Sequence, residues 1–231
     1  MIARPVSRSS VTPRLAPPCA HIVAVEWSLV VPAKRLAVAK TRLLPLTRRA
    51  GDLHAALVLA LLADTVAAAT AATGVAEVVV VTDDDRAMDV VHALGARTVP
   101  DAPDRGLNPA LAHGAAAARG PAIAALSSDL PALRPAELAA ALTVAGTAPR
   151  CLVADAAGTG TTLLTARGVD LEPRFGPGSA AAHAAAGGHV LVGDWPGLRR
   201  DVDTPADLAA ALALGVGPHT SALGPRLPTI G

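Results

Sequence analysis

The sequence predicts an α/β fold of the Rossmann-like, doubly wound kind, and three observations carry that prediction. Short apolar runs of strand length alternate with Ala- and Leu-rich stretches of helical length, the pattern of βαβ units. Two of those runs, Val78-Val79-Val80-Val81 and Ala122-Ile123-Ala124-Ala125-Leu126, are continuous rather than alternating. Continuous runs suit strands covered by helices on both faces. The second run leads directly into Ser127-Ser128-Asp129, so a carboxylate stands at the carboxyl edge of a strand, where open α/β sheets bind ligands.

Residues 22–31 are apolar and rich in β-branched side chains, and read as the first strand, closed by Pro32. A basic loop, residues 34–42, follows. Residues 52–72 form a largely buried helix whose polar positions are His54, Asp64, Thr65 and Thr70, with Gly74 just past its end. Residues 77–82 make the second strand, then come a helix to Leu94 and a short strand at Arg97-Thr98-Val99. A Pro-, Asp- and Gly-rich loop leads to a helix at 109–118, the central strand at 122–126, and a helix opened by Pro135. The second half is less regular. Strands are expected at 151–154, 161–164, 189–192 and 198–202, with an Ala-rich helix after Ser179 and a last helix capped by Thr204-Pro205-Ala206-Asp207.

At 231 residues the chain is long enough for one substantial domain, expected over 21–217. Residues 1–20 carry three Arg and four Pro without a continuous apolar segment, and 218–231 turn to Pro, Ser and Gly; both are expected to be disordered. With no Tyr, one Phe and two Trp, the core must be packed by Ala, Val and Leu. A net charge of +1 and the scarcity of aromatic rings argue against a nucleic-acid partner. No apolar run reaches the roughly 18 residues of a spanning helix, so no membrane partner is expected and the protein reads as cytoplasmic. Cys19 and Cys151 have neither zinc-ligand nor disulfide-framework spacing.

Four groups of residues carry possible chemistry. Asp129 is joined, far downstream, by Asp201 and Asp203, which would share a face if Val202 sat on a strand between them. Three converging carboxylates repel one another unless a hard divalent cation lies between them, so the trio reads as a magnesium site for nucleotide chemistry. The alternative is that Asp129 makes a turn and Asp203 caps a helix. Lys34, Arg35, Lys40 and Arg42 follow the first strand and suit either a polyphosphate or solvent. The absence of GxxxxGK[ST] excludes a Walker-type loop. Gly158-Thr159-Gly160-Thr161-Thr162 and Arg174-Phe175-Gly176-Pro177-Gly178-Ser179 bring glycines and hydroxyls that fit a phosphorylated small acid, or simply two turns. Gly106 and Asn108 read a nucleobase edge or form a turn. The single histidines have no Ser or Cys partner nearby in sequence, so a triad is unsupported.

Taken together, Val31-Pro32-Ala33-Lys34 with Ala39-Lys40-Thr41-Arg42-Leu43, Gly106-Leu107-Asn108, Ser128-Asp129-Leu130-Pro131, Asp155-Ala156-Ala157-Gly158-Thr159-Gly160-Thr161-Thr162, Phe175-Gly176-Pro177-Gly178-Ser179 and Asp201-Val202-Asp203-Thr204-Pro205 occur in an order that is specific. They closely resemble the phosphoenolpyruvate or 2-phospholactate guanylyltransferases of coenzyme F-420 biosynthesis, from about Leu29 to Thr220. The resemblance implies a nucleotidyltransferase fold of the nucleotide-diphospho-sugar transferase type, with a mixed central sheet flanked by helices. It implies GTP as donor and magnesium on Asp129, Asp201 and Asp203. It further implies a phosphorylated three-carbon acid at Thr161, Gly176 and Ser179. Lys34, Lys40 and Arg42 are then expected to neutralise the triphosphate, and Lys34, Gly106, Asn108 and Ser128 to hold the nucleotide. Where the wider superfamily carries glycines after the first strand, this chain carries basic residues.

Overall fold

The computed structural model describes residues 25–33, 40–47, 52–102 and 105–228. In chain order the elements are β1 (Trp27–Pro32), a 3-10 turn (Thr41–Leu43), α1 (Leu44–Thr47), α2 (Leu53–Thr70), β2 (Val75–Val81), α3 (Asp85–Ala93), β3 (Arg97–Val99), α4 (Leu107–Ala117) and β4 (Ala122–Leu126). They continue with α5 (Pro135–Ala145), β5 (Arg150–Ala154), β6 (Thr161–Arg167), α6 (Ser179–Ala185), β7 (His189–Val190), α7 (Pro196–Arg199), α8 (Pro205–Leu214) and α9 (Pro218–Ser221).

Among the described residues, one sheet takes up all seven strands in the order β3-β2-β1-β4-β6-β5-β7. β1 lies parallel to both β2 and β4, whereas β6 runs antiparallel to β4 and β5, so the sheet is mixed. After β1 the chain builds outward through β2 and β3, then returns to place β4 on the other side of β1. The strand order reverses there, which opens a crevice beyond the carboxyl ends of β1 and β4. Ser127 continues the ladder past β4 by donating its N–H to Thr162 O at 2.9 Å, so the residues before Asp129 are fixed against β6.

Alternation along β1 divides the core between the two faces. Leu29 and Val31 pack with α2, α3 and α5 residues such as Leu62, Val66, Val91 and Leu138. Val30 packs the other way, with Ala110 and Leu111 of α4, Leu152, Leu164 and Ala180. α4 approaches the sheet so closely that a Cβ on Gly114 would fall on the side chains of Val30 and Val81. Small residues replace aromatic anchors at such contacts, as the composition predicts.

Three expectations are corrected. Residues 198–202 are not a strand: Pro196 opens the short helix α7, which includes Leu198, and Asp201 and Asp203 lie on irregular backbone. The tail expected to be disordered from 218 begins with α9, because the buried Asp64 carboxylate of α2 accepts the His219 and Thr220 N–H groups at 2.9 and 2.8 Å. Lastly, α2 does match a membrane span in length and composition, with a mean hydropathy of 1.8 over 18 residues. It is 67% buried against the rest of the protein and carries Asp64 and Thr65 as docking groups, which makes it a core helix. The expectation for residues 1–20 falls outside the described residues.

Candidate active site

A cleft of about 780 Å³ lies over the carboxyl ends of β1, β4 and β5 and the start of β6. One wall is ionic. The Lys40 ammonium donates to Asp129 Oδ2 and, at 2.5 Å, to Asp203 Oδ1. These three residues are far apart in sequence, and an apolar cluster directly behind them brings them together. Leu43 follows Lys40, Ala132 follows Asp129, Val202 precedes Asp203, and all three bury against Leu57, Leu61, Leu208 and Ala211. Val202 is fully buried, and its N–H donates to Asp129 O at 3.1 Å. This explains an apolar residue between two acids: it anchors the segment that presents them. Leu130 N–H donates to Thr65 Oγ1 at 2.9 Å, which fixes the other side of Asp129.

Asp203 does not cap α8. Thr204 is the N-cap and Asp207 completes its capping box, leaving the Asp203 carboxylate to Lys40. Lys40 itself adopts the left-handed backbone conformation, φ 52°, that turns its side chain out of the 3-10 segment. Burial works against its charged form, but Asp129 and Asp203 outweigh it and raise its pKa. Burial raises the Asp201 carboxyl to about 7, together with the charges of Asp129, Asp203 and Asp155, and Lys40 offsets only part of this.

The opposite wall is a glycine-rich cradle. Asp155, at the end of β5, accepts the Thr159 and Gly160 N–H groups at 2.9 and 2.8 Å and so shapes the turn into β6. A Cβ on Gly160 would collide with that carboxylate. Ala180 N–H donates to Thr159 O at 3.1 Å, which joins the two glycine-rich segments that the sequence singles out. Thr161, Gly176, Pro177, Gly178 and Ser179 line this side. Arg199 braces it from behind, with hydrogen bonds to the carbonyls of Ala154 and Asp155 at 3.1 and 2.9 Å.

Of the residues expected at the site, Lys40, Arg42, Ser128, Asp129, Thr161, Gly176, Ser179, Asp201 and Asp203 all line the cleft. Gly106 and Asn108 do not. Gly106 is the N-cap position of α4, and the Asn108 amide is committed to the Phe175 backbone, donating to its carbonyl at 3.0 Å and accepting its N–H at 2.7 Å. Lys34 lies outside the described residues. Asp155 and His183 were not expected; for Asp155 the signal was an acid opening an Asp-Ala-Ala-Gly turn.

Carboxylate oxygens without sulfur or imidazole are the donor set of a hard divalent cation. Among the described residues no three such side chains are already gathered in a metal-binding arrangement, and the Lys40 ammonium holds the space between Asp129 and Asp203. Burial, and then the like charges of Asp129, Asp203 and Asp155, push the Asp201 carboxyl up, and a cation would relieve the part due to charge.

Residues 27–223 match the profile of the family described as guanylyl transferase CofC like. Among curated proteins, the chain is 66% identical over 208 residues to phosphoenolpyruvate guanylyltransferase of Geodermatophilus obscurus, covering 88% of this chain and 97% of that one. The protein of the same name from Streptomyces coelicolor is 54% identical, covering 88% and 98%. Solved structures share the fold. A nucleotidyl transferase from Methanothermobacter thermautotroptrophicus superposes with a TM-score of 0.55 at 25% identity, over 82% of this chain and 97% of that one. A Desulfovibrio desulfuricans protein described as a nucleotide-diphospho-sugar transferase gives 0.60 at 18%, over 80% and 85%. This chain belongs to the guanylyl transferase CofC-like family and is a nucleotidyltransferase.

Proposed function

We propose that the protein transfers GMP from GTP to phosphoenolpyruvate, releasing diphosphate, as a step in coenzyme F-420 biosynthesis. The observation that carries this reading is the division of one cleft into a wall of acids and an ammonium facing a cradle of glycines and hydroxyls. The named relatives at 54–66% identity support the choice of substrates.

In the proposed reaction an oxygen of the phosphoenolpyruvate phosphate attacks the α-phosphorus of GTP. A new phosphorus–oxygen bond forms, the bond to the β-phosphate bridging oxygen breaks, and diphosphate leaves with that electron pair. The attacking phosphate has a second pKa near 6 and is largely ionised, so it needs no general base. The site agrees: His183, behind the cradle, is buried with both ring nitrogens in hydrogen bonds. Catalysis then rests on placement and charge neutralisation.

Lys40 and Arg42 are assigned to the triphosphate, Ser128 to the nucleotide, and Thr161, Gly176 and Ser179 to the acid. Lys34 is assigned to the triphosphate from the sequence alone. Asp129, Asp201 and Asp203 are the residues that would hold magnesium, which would supply positive charge to offset that of the phosphates. The Lys40 ammonium, held between Asp129 and Asp203, would add positive charge on the side of the cleft assigned to the phosphates.

The test is diphosphate release with GTP and magnesium, offered phosphoenolpyruvate, 2-phospholactate and 3-phosphoglycerate in turn. Release with GTP and phosphoenolpyruvate is expected, at a rate above that with CTP or with a sugar phosphate. Turnover confined to CTP or to sugar phosphates would replace the reading with another nucleotidyltransferase activity.

A further inference from the structure

Behind the glycine-rich cradle, one buried side chain controls which way a cleft hydroxyl points. His183, on α6, is 1% exposed. Its Nε2 lies 2.8 Å from the Arg174 backbone nitrogen, and its Nδ1 lies 3.0 Å from Thr161 Oγ1. A backbone N–H can only donate, so Nε2 must be the unprotonated nitrogen. The neutral ring then carries its proton on Nδ1, and that proton can go only to Thr161 Oγ1. With an oxygen lone pair of Thr161 occupied in this way, its own hydroxyl hydrogen must find another acceptor. Thr161 opens β6 on the wall of the cleft.

We infer that His183 is a positioning residue that locks Thr161 as a hydrogen-bond donor toward the cleft, suited to an anionic oxygen of the phosphorylated acid. The inference rests on the assignment of the cradle to that acid. Two further contacts make the lock rigid. The Phe175 ring packs edge-on against His183, with centroids 5.0 Å apart and planes at 71°. Asn108 clips the Phe175 backbone on both sides, so Arg174 N–H cannot drift from Nε2. Burial of the ring, with Arg174 and Arg150 nearby, lowers the His183 pKa to about 4, and the imidazole stays neutral at working pH. A hydroxyl locked as a donor favours an anion over a neutral or cationic group at the same place.

The test combines nitrogen NMR of the labelled wild-type protein with a double-mutant cycle. NMR should show His183 as the neutral tautomer protonated on Nδ1; protonation on Nε2 would overturn the inference. In steady-state kinetics Thr161→Val should raise KM for phosphoenolpyruvate by roughly 10- to 100-fold, the loss of one hydrogen bond to a charged group. His183→Phe keeps the ring beside Phe175 and should raise the same KM by roughly 10-fold, with KM for GTP little changed. Added to Thr161→Val, His183→Phe should cost less than about 2-fold more, because the hydroxyl it orients is already gone. Independent, multiplying penalties would show that His183 does not act through Thr161. If His183→Phe does not fold, the wild-type tautomer decides alone. A wild-type enzyme inactive on every phosphorylated three-carbon acid would refute the substrate assignment, while the tautomer still reports on the lock.

Discussion

The two walls of the cleft are held in place by different physics. The ionic wall rests on apolar burial: Leu43, Ala132 and Val202 press their polar neighbours Lys40, Asp129 and Asp203 into one spot. The cradle is tied together by polar contacts, through Asp155, Arg199, Asn108 and His183. A wall made of charge needs a stiff backing, because like charges push apart wherever the backing yields. A wall made of backbone N–H groups and hydroxyls needs direction more than stiffness, and hydrogen bonds supply direction. The walls should therefore fail differently when altered.

The largest effect is expected at the ionic wall itself. Asp129→Ala or Asp203→Ala should lower turnover by at least about 10²- to 10³-fold while the protein stays folded, since the apolar backing is untouched. Diphosphate release and a thermal melt measured on the same preparation check both halves. Substantial activity in either variant would remove that carboxylate from the reaction. Behind the wall, Leu43→Ala should cost about 2–5 kcal/mol of stability and reduce turnover with it, because the cavity lets the Lys40 segment move. Urea denaturation gives the stability change. An activity loss without a stability loss would show that the backing does not place the charges.

The cradle should behave the opposite way. Asn108→Ala leaves the Phe175 N–H and carbonyl without their partner and is expected to cost about 1–3 kcal/mol. Its kinetic effect should fall on KM for the acceptor acid, with KM for GTP nearly unchanged. Equal rises in both constants would mean that Asn108 supports the nucleotide side of the cleft.

How far the sequence revealed these walls follows from how each is built. Strands β2 and β4 were legible because their runs of Val, Ala, Ile and Leu are buried on both faces, a property that each run carries alone. The cap of α8 was legible for the same reason, since Thr204 and Asp207 are partners three residues apart. The acids and the cradle were legible as residue types standing at strand ends. What stayed hidden depends on distant partners. Helix α9 forms on the Asp64 carboxylate, 155 residues before His219. Asn108 looked like a base-reading residue because its partner, Phe175, is 67 residues away. Residues 198–202 looked like a strand because Leu198 and Val202 are buried, yet Pro196 starts a helix there and Val202 is buried by side chains instead of by a sheet.

The smallest expected effect separates the two walls by pH. The His183 pKa is lowered from 6.5 to about 4, by burial first and then by the charges of Arg174 and Arg150. Between those values the unfolded chain binds a proton that the folded protein refuses, so stability must rise with pH across this window. The contribution is fully present above about 6.5 and is lost as pH falls toward 4. Between pH 7 and pH 5.5 the loss from this one residue should be about 1 kcal/mol. Chemical denaturation at the two pH values measures it, and His183→Phe should remove that part of the slope. The cradle should loosen with it, because a proton on Nε2 turns the Arg174 contact from attraction to repulsion. Acidification should thus raise KM for the acid before it unfolds the protein. A slope unchanged in His183→Phe would show that the acid sensitivity does not arise in the cradle.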